Sequence, residues 1–300
     1  MKKAFLQLHI AVFLAGFTGI LGRLISFNEG MIVWYRLLFT AITMWVLFGF
    51  RKKIQRISLP DILKIGAVGF IAAMHWVTFY GSIKYANVSV ALVCFSSIGF
   101  FTALFEPLIL RRKMNWMELL LGLITISGIY IIFHFDTQYK TGIIIGIISA
   151  VLACLFPIFN REFLKRINVE TMLSWQQTGG LITLSALLPF YLQRFPTRSF
   201  LPGWEDLGWL LVLSWFCSVI AFQFSSNALK RLSAFTVNLS YNLEPVYGIL
   251  LAFMVYKENK FLSKWFYVGF AIIAAVLIIH IILLTKQEAK IKADGAGHVS

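Results

Sequence analysis

Charged residues are scarce in this 300-residue chain: they make up 13% of it, against about 25% in an ordinary soluble domain. Hydrophobic residues reach 59%, and the mean hydropathy is +0.80. The chain has few cysteines, Cys94, Cys154 and Cys217, and each lies within an apolar run, which argues against a disulfide framework. This composition is that of an integral membrane protein.

The sequence also lacks the short motifs of common enzyme classes. It contains no H-E-x-x-H, no G-x-S-x-G and no glycine loop that could hold a phosphate, so we expect no catalytic site, no cofactor and no metal. The net charge of +14 does not indicate nucleic acid, because the basic residues form short clusters between apolar runs. The expected partners are the lipid bilayer and a small-molecule metabolite; the sequence does not indicate an oligomeric state.

Apolar runs of roughly 17–23 residues divide the chain, and each can cross about 30 Å of hydrocarbon as a helix. We predict about ten membrane-spanning helices, over residues 4–25, 30–50, 62–83, 88–110, 115–135, 141–160, 171–192, 206–228, 235–256 and 263–284. The first run begins Met-Lys-Lys but lacks a small-x-small cleavage site before the next span, so we expect a retained helix. Residues 286–300 are predicted to form a disordered cytoplasmic tail.

The basic residues predict the orientation of the helices. With a cytoplasmic amino terminus, the inner connections hold about 17 lysines and arginines and the outer ones about 8. Because cytoplasmic loops carry the excess of positive charge, we predict a multi-pass protein of the plasma (inner) membrane with both termini in the cytoplasm.

Two sets of matches indicate an internal repeat. They pair Leu14 and Arg23 of the first span with Leu152 and Arg161 of the sixth, and Ser82-Ile83-Lys84 with Ala228-Leu229-Lys230 before the ninth. We predict two five-helix repeats, residues 1–137 and 138–285. Since five is odd, the second repeat enters the membrane upside down, and such inverted repeats suit a carrier that works by alternating access.

Glu244 and Pro245 are the most informative pair, because a charge and a helix breaker both lie deep within the predicted ninth span. Glu244 either lines a polar cavity or is a neutral group bonded between helices. Asn238, Tyr241, Asn242 and Pro245 have the i, i+3, i+4, i+7 spacing of one helix face, which suits either substrate binding or contact between helices.

Further polar and aromatic residues lie within other spans. The candidates for contact with substrate are His75, Trp76, Tyr80, Trp175, Gln176 and Gln223. Packing is an alternative for each of them, above all for the aromatic residues, which form 16% of the chain. Arg36 either extends to the headgroups, pairs with Glu29 or reaches inward toward an anionic substrate.

The segment Asn242-Leu243-Glu244-Pro245-Val246, followed by Lys257-Glu258-Asn259, resembles the ninth-helix signature of the EamA-type drug/metabolite transporters. Trp34-Tyr35-Arg36 is similar to the arginine signature of that family's second helix. The resemblance covers the chain except its tail, and it implies ten helices in two inverted bundles around a central cavity. The first half departs from the pattern, since Ser97-Ile98-Gly99 replaces a proline and Arg112 replaces the terminal glutamate.

Together these features predict a membrane carrier, either a secondary transporter or a uniporter. An apolar, aromatic lining with few charges favours a small amphipathic metabolite, such as an amino acid, over a polyanion. The direction of transport and any proton coupling are not readable from the residues. A membrane-embedded enzyme, or a sensor that transports nothing, is the alternative.

Overall fold

The computed structural model describes residues 2–111, 113–197, 199–229, 240–241 and 243–296. Within these ranges the chain is all-α, as predicted, and contains no β-strand. The helices are α1 Lys2–Leu24, α2 Glu29–Phe50, α3 Leu59–Tyr85, α4 Val88–Phe95, α5 Ile98–Leu110, α6 Trp116–Phe135, α7 Lys140–Phe163, α8 Val169–Arg194, α9 Trp204–Ser214, α10 Ala221–Leu229, α11 Glu244–Tyr256 and α12 Lys264–Ala296. A π-helical segment, Trp215–Ile220, joins α9 to α10, and 3₁₀ turns at Thr137–Tyr139 and Glu258–Lys260 precede α7 and α12.

These elements form ten crossings, which we number 1 to 10 along the chain. In the described residues, eight helical stretches are long and apolar enough to span a membrane; α4 with α5 forms crossing 4, and α9, the π segment and α10 form crossing 8. Crossing 7 is α8, which is less apolar but has 26 residues and is therefore about 39 Å long. Crossing 9 contains α11, so the predicted number of spans is confirmed.

Asparagine side chains fix where three of the helices begin. The side-chain oxygens of Asn28, Asn87 and Asn168 each accept a hydrogen bond from the backbone N–H three residues further on, at 2.9, 2.8 and 2.9 Å. The first N–H groups of a helix have no partner within the helix, so each cap satisfies a group that is costly to leave unpaired near hydrocarbon.

The contacts between crossings repeat with a shift of five. Crossing 3 packs on 6 and 7, and crossing 8 correspondingly packs on 1 and 2. Crossing 1 packs on 9, as crossing 6 packs on 4. Three contacts join equivalent crossings to each other: 2 with 7, 4 with 9, and 5 with 10. This pattern is what two similar five-helix units produce around a pseudo-twofold axis, so the predicted two-repeat architecture is confirmed.

Crossings 4 and 9 both tighten into a turn at equivalent positions. The N–H of Ser97 donates to the carbonyl of Cys94, and the N–H of Leu243 donates to that of Ser240, both at 3.0 Å. Ser97 and Leu243 are 146 positions apart, the same offset as that between Ser82 and Ala228. The turn in crossing 4 forms without the proline that the EamA resemblance implies at this place.

The turn at Leu243 corrects the predicted setting of Glu244. We expected Glu244 about nine residues inside a continuous helix, whereas it is the first residue of α11 and Pro245 lies in the first turn. Proline is tolerated there because its missing N–H would have no partner within the helix in any case. The carboxylate therefore lies at the positive end of a helix dipole.

Glycines bring several helices into backbone contact. A Cβ added at Gly269 in crossing 10 would lie 2.4 Å from the carbonyl oxygen of Gly128 in crossing 5. A Cβ at Gly179 in crossing 7 would lie 2.2 Å from the Cα of Gly66 in crossing 3. In a membrane, where lipid is as apolar as a side chain, such close approach through small residues is a main source of helix association.

The connections between crossings gather at two ends of the bundle. At the end that we call basic, Lys53 pairs with Glu170 at 2.8 Å, and the Asn168 amide donates to the carbonyl of Lys53. At the opposite end, the Asn28 amide donates to the carbonyl of Phe195 at 2.9 Å. Alternate connections thus lie at opposite ends, as a chain that crosses back and forth requires.

The last helix extends further than the sequence predicted. α12 continues to Ala296, so residues 286–296 are helical, whereas we expected a disordered tail from residue 286. The sequence Gln-Glu-Ala-Lys that begins at Gln287 consists of good helix formers, which explains the continuation beyond the apolar part.

We predict that Gly179→Ala destabilises the protein, because a methyl group there overlaps the backbone of Gly66. Overpacking of this kind costs about 1–3 kcal/mol. Gly99→Ala is the matched control, since a Cβ at Gly99 meets nothing within 4 Å and alanine favours a helix. Thermal unfolding in detergent should give a lower midpoint for Gly179→Ala only; equal midpoints for the two variants would contradict the packing argument.

Candidate functional site

Arg36 is the centre of the candidate site. It is 3% exposed and lies seven residues beyond Glu29 in α2, about 10 Å along the helix. The sequence left three interpretations of this arginine open, and the structure points its side chain into the bundle rather than to the headgroups. Among the described residues, no carboxylate forms an ion pair with it within 4.0 Å.

Three other side chains hold the guanidinium. Its Nε donates to the Ser218 hydroxyl and its Nη1 to the Tyr80 hydroxyl, each at 2.9 Å. The guanidinium carbon lies 4.3 Å from the centre of the Trp76 ring, the geometry of a cation–π contact. These neighbours compensate for part of the desolvation of the charge without neutralising it. The cation at the centre of the site therefore remains available to an anion.

Crossings 2, 3 and 8 supply these groups, so the site is assembled across the two repeats. Trp76 and Tyr80 lie one turn apart on α3, and both were predicted as candidates along with Arg36. Ser218 was not predicted. It lies in the π segment within the apolar sequence Trp-Phe-Cys-Ser-Val-Ile, where no signal in the sequence marks it as a site residue.

Glu244 is the acidic member of the site. The positive charge of Arg36 acts on its carboxylate, although the two form no ion pair within 4.0 Å. The backbone of Glu244 packs against α1, where a Cβ at Gly16 would lie 3.1 Å from its carbonyl oxygen. Among the described residues, no hydrogen-bond donor contacts its side chain. Glu244 thus places a carboxyl group within the electrostatic reach of Arg36 without forming an ion pair with it.

An open apolar cavity of about 320 Å³ lies between α1 and crossing 8, and two of its lining residues, Phe13 and Phe216, are exposed. Its lining residues are Phe13, Leu14, Phe17, Val212, Phe216 and Cys217. Cys217 lies close to Thr18 and is within the electrostatic reach of both Arg36 and Glu244. The charged centre and the apolar cavity are therefore neighbours.

His75 has the contacts of a packing residue. Its Nδ1 lies 2.9 Å from the Ser149 hydroxyl and 3.1 Å from the Ser149 carbonyl oxygen. Its ring packs among Phe79, Phe95 and Phe156. His75 was predicted as a candidate for contact with substrate, with packing as the alternative, and these contacts are those of the alternative.

Two other candidates form a separate cluster toward the basic end. The Asn160 amide donates to the side-chain oxygen of Gln176 at 3.1 Å, and Trp175 packs edge-on against Trp45 with the ring centres 5.0 Å apart. These contacts join crossing 7 to crossings 6 and 2. They are the contacts of residues that hold helices together, which was the alternative left open for this group.

The remaining candidates come from the carboxyl-terminal half. Tyr241 packs on Leu8 and Val12 of α1 and hydrogen-bonds with Ser225 of α10. Gln223 is half-buried on α10. Asn238 and Asn242 lie outside the described residues, so their predicted contact with substrate stays a prediction.

A buried carboxylate closes the opposite end of the bundle. Glu258 accepts hydrogen bonds from the N–H groups of Val88 and Ser89 at 3.1 and 2.8 Å, and from the Ser89 hydroxyl at 2.6 Å. It also pairs with Arg23, whose guanidinium lies 4.3 Å from the centre of the Tyr256 ring. Glu258 is 3% exposed and caps the positive end of α4, so it joins crossings 1, 4 and 9.

Comparison with known proteins identifies the family. The model of the EamA-like transporter family matches residues 2–134 and, a second time, residues 140–280. The chain belongs to the EamA-like transporter family. It is therefore a membrane transporter, which points away from an enzyme, and the resemblance noted in the sequence is confirmed.

Individual relatives agree with this assignment. An uncharacterized transporter of Haemophilus influenzae is 25% identical over 248 residues, which span 75% of this chain and 74% of that protein. An uncharacterized transporter of Archaeoglobus fulgidus is 25% identical over 138 residues, or 46% of this chain and 49% of that one. A crystal structure with 16% identity covers 96% of this chain and 99% of its own, with a TM-score of 0.64, and thus has the same fold.

Two arginines at matching positions in the repeats of this EamA-like transporter each form an ion pair. Arg23 in crossing 1 pairs with Glu258, which follows crossing 9, whereas its counterpart Arg161 in crossing 6 pairs with Glu106 in crossing 4 at 2.9 Å. The first pair lies at the opposite end and the second at the basic end. Arg112, which stands where the resemblance implies a glutamate, lies outside the described residues.

We predict that Glu258→Ala lowers the stability of the protein. The variant leaves the N–H groups of Val88 and Ser89 buried without an acceptor, which costs about 1–3 kcal/mol. The control is Lys165→Ala, which removes an exposed pair with Glu162; such pairs contribute at most about 1 kcal/mol. Thermal unfolding in detergent measures both, and a midpoint for Glu258→Ala no lower than that of the control would refute the capping role.

Proposed function

We propose that this transporter carries a small amphipathic metabolite that bears a carboxylate, with an amino acid as the best fit, and that Arg36 binds the carboxylate. The observation that carries the proposal is a buried guanidinium held by Ser218, Tyr80 and Trp76 with no carboxylate ion-paired to it among the described residues. An unneutralised charge within a membrane is costly, and residues of this kind mark substrate pathways.

Glu244 narrows the class of substrate. A zwitterion carries an ammonium group a few bonds from its carboxylate, and Arg36 and Glu244 offer opposite charges that lie near each other without pairing. A substrate that contacts both satisfies two charges at once. The start of α11 at Glu244 adds a helix end of the type that secondary transporters place at the membrane midplane.

The apolar cavity between α1 and crossing 8 supports an amphipathic substrate over a purely polar one. Its lining begins at Cys217, next to the Ser218 that binds Arg36, so an apolar side chain of the substrate has space beside the charges. Among the described residues this site has a single central cation, Arg36, so a polyanion would keep most of its charges unpaired and would be repelled by an ionised Glu244.

Alternating access is the mechanism that the repeat architecture supports. The site draws on crossings 2 and 3 of the first repeat and on crossings 8 and 9 of the second, so a movement of one repeat against the other opens it to either end. Chemistry on the substrate is not required, and the enzyme or sensor alternative has no observation in its favour. We place the protein in the plasma (inner) membrane.

The transport assay uses protein reconstituted in liposomes with labelled phenylalanine as the probe. We predict that Arg36→Gln raises the KM about tenfold to a hundredfold, the effect of losing a hydrogen-bonded charge. Glu244→Gln should raise the KM for phenylalanine but not for N-acetylphenylalanine, which lacks the ammonium group. Arg56→Gln, at an exposed arginine of the basic end, is the matched control.

The outcomes separate the parts of the proposal. An unchanged KM in Arg36→Gln overturns the binding role of Arg36. An equal effect of Glu244→Gln on both probes rules out an ammonium contact. A Glu244→Gln variant that loses the pH dependence of uptake shows in addition that its carboxylate titrates during transport. If no amino acid enters the liposomes, amino acids are ruled out as the substrate class.

The basic end is the cytoplasmic one, as the excess of lysine and arginine predicts. Single cysteines at Gln55, in the basic end, and at Leu201, in the opposite end, are introduced into a chain without its native cysteines. We predict that an impermeant thiol reagent added to intact cells labels only the Leu201→Cys variant. Labelling of Gln55→Cys from outside the cell would reverse the orientation.

A further inference from the structure

Crossing 8 changes its helical register at the site. The six residues Trp215–Ile220 form a π-helix between α9 and α10. A π turn adds a residue to the helix and rotates the side chains that follow it, and such turns occur frequently at functional sites. Here the segment carries Ser218, which accepts a hydrogen bond from Nε of Arg36 at 2.9 Å.

The register also affects the hydrogen bonds of the Ser218 hydroxyl. The hydroxyl donates to the carbonyl of Leu213, five residues earlier, at 3.4 Å. In the regular helices of this chain a hydroxyl reaches four residues back, as Ser174 does to Glu170 and Thr178 does to Ser174, both at 2.8 Å. The hydroxyl oxygen accepts the hydrogen bond from Nε of Arg36 at 2.9 Å, so its own hydrogen is left to donate to Leu213.

A second serine holds the same residue from the other side. The Ser214 hydroxyl donates to the backbone carbonyl of Arg36 at 3.4 Å, so crossing 8 contacts both the backbone and the side chain of this arginine. Ser214 and Ser218 are completely buried. Residues of crossing 8 therefore set the position of a charge that belongs to crossing 2.

The described residues hold the guanidinium through two of its three nitrogens. Nε is bonded to Ser218 and Nη1 to Tyr80, while Nη2 has no hydrogen-bond partner among the described residues. Trp76 covers one face of the group. We infer that Ser218, through the π segment, is a positioning residue that directs Nη2 of Arg36 toward the substrate carboxylate; this rests on the proposed function of Arg36.

The experiment compares Ser218→Ala with Ser218→Thr in the liposome assay with labelled phenylalanine. We expect Ser218→Ala to raise the KM about tenfold with little change in kcat, because the arginine is still present but no longer oriented. Ser218→Thr keeps the hydroxyl and should restore the wild-type KM. Ser174→Ala is the control, since Ser174 is equally buried but its hydroxyl bonds only within its own helix.

A double variant separates positioning from general stability. In the Arg36→Gln background, Ser218→Ala should have no further effect on the KM, since its action passes through the arginine. If Ser218→Ala is poorly folded, Ser218→Cys, which keeps the volume but is a weak acceptor, replaces it in the same assay.

The results distinguish this inference from the function on which it rests. A wild-type KM for Ser218→Ala, or equal effects of Ser218→Ala and Ser218→Thr, overturns the positioning role while Arg36 keeps its own. A loss of kcat without a change in KM also overturns it. An unchanged KM in Arg36→Gln instead removes the proposed function itself.

Discussion

Hydrocarbon offers no hydrogen bonds, so each polar group that this chain carries into the membrane must find its partner within the protein. The helices satisfy the backbone, and asparagine caps such as Asn28 satisfy their first N–H groups. Glu258 extends the same rule to the start of α4. Arg36 satisfies this requirement through hydrogen bonds to Ser218 and Tyr80, and the proposed substrate completes the coordination of its guanidinium.

The number of crossings could be predicted because the thickness of the bilayer sets the length of each apolar run. Crossing 7 could be predicted as well, because its run is long enough to span the bilayer. Gln176 and Gln177 lower its hydropathy, but both side chains are buried against neighbouring helices. Arg36, Trp76 and Tyr80 were identified one by one. Their convergence was not, because it depends on how crossings 2 and 3 pack, and no pattern within either helix encodes that.

Other features of the site leave little trace in the sequence. A π turn breaks the periodicity of 3.6 residues on which helix faces are predicted, so Ser218 could not be assigned to the site. The helix start at Glu244 was hidden because Pro245 is compatible with either a kink or a first turn. His75 was a candidate by its polarity alone, and its contacts with Ser149 became visible only with α7 in place.

The glycine contacts bear on how the two repeats can move. Side chains that interdigitate between two helices hinder their movement, because the helices must separate before these side chains can slide past each other. Where Gly66 meets Gly179, backbone touches backbone and no side chain lies between the helices, whereas the side chains of Ile132 and Ile273 pack beside the contact of Gly128 with Gly269. The facing surfaces of crossings 3 and 7 are therefore smooth at this point, so these two helices can pivot on each other there without dismantling side-chain packing, whereas crossings 5 and 10 are held by the two isoleucines.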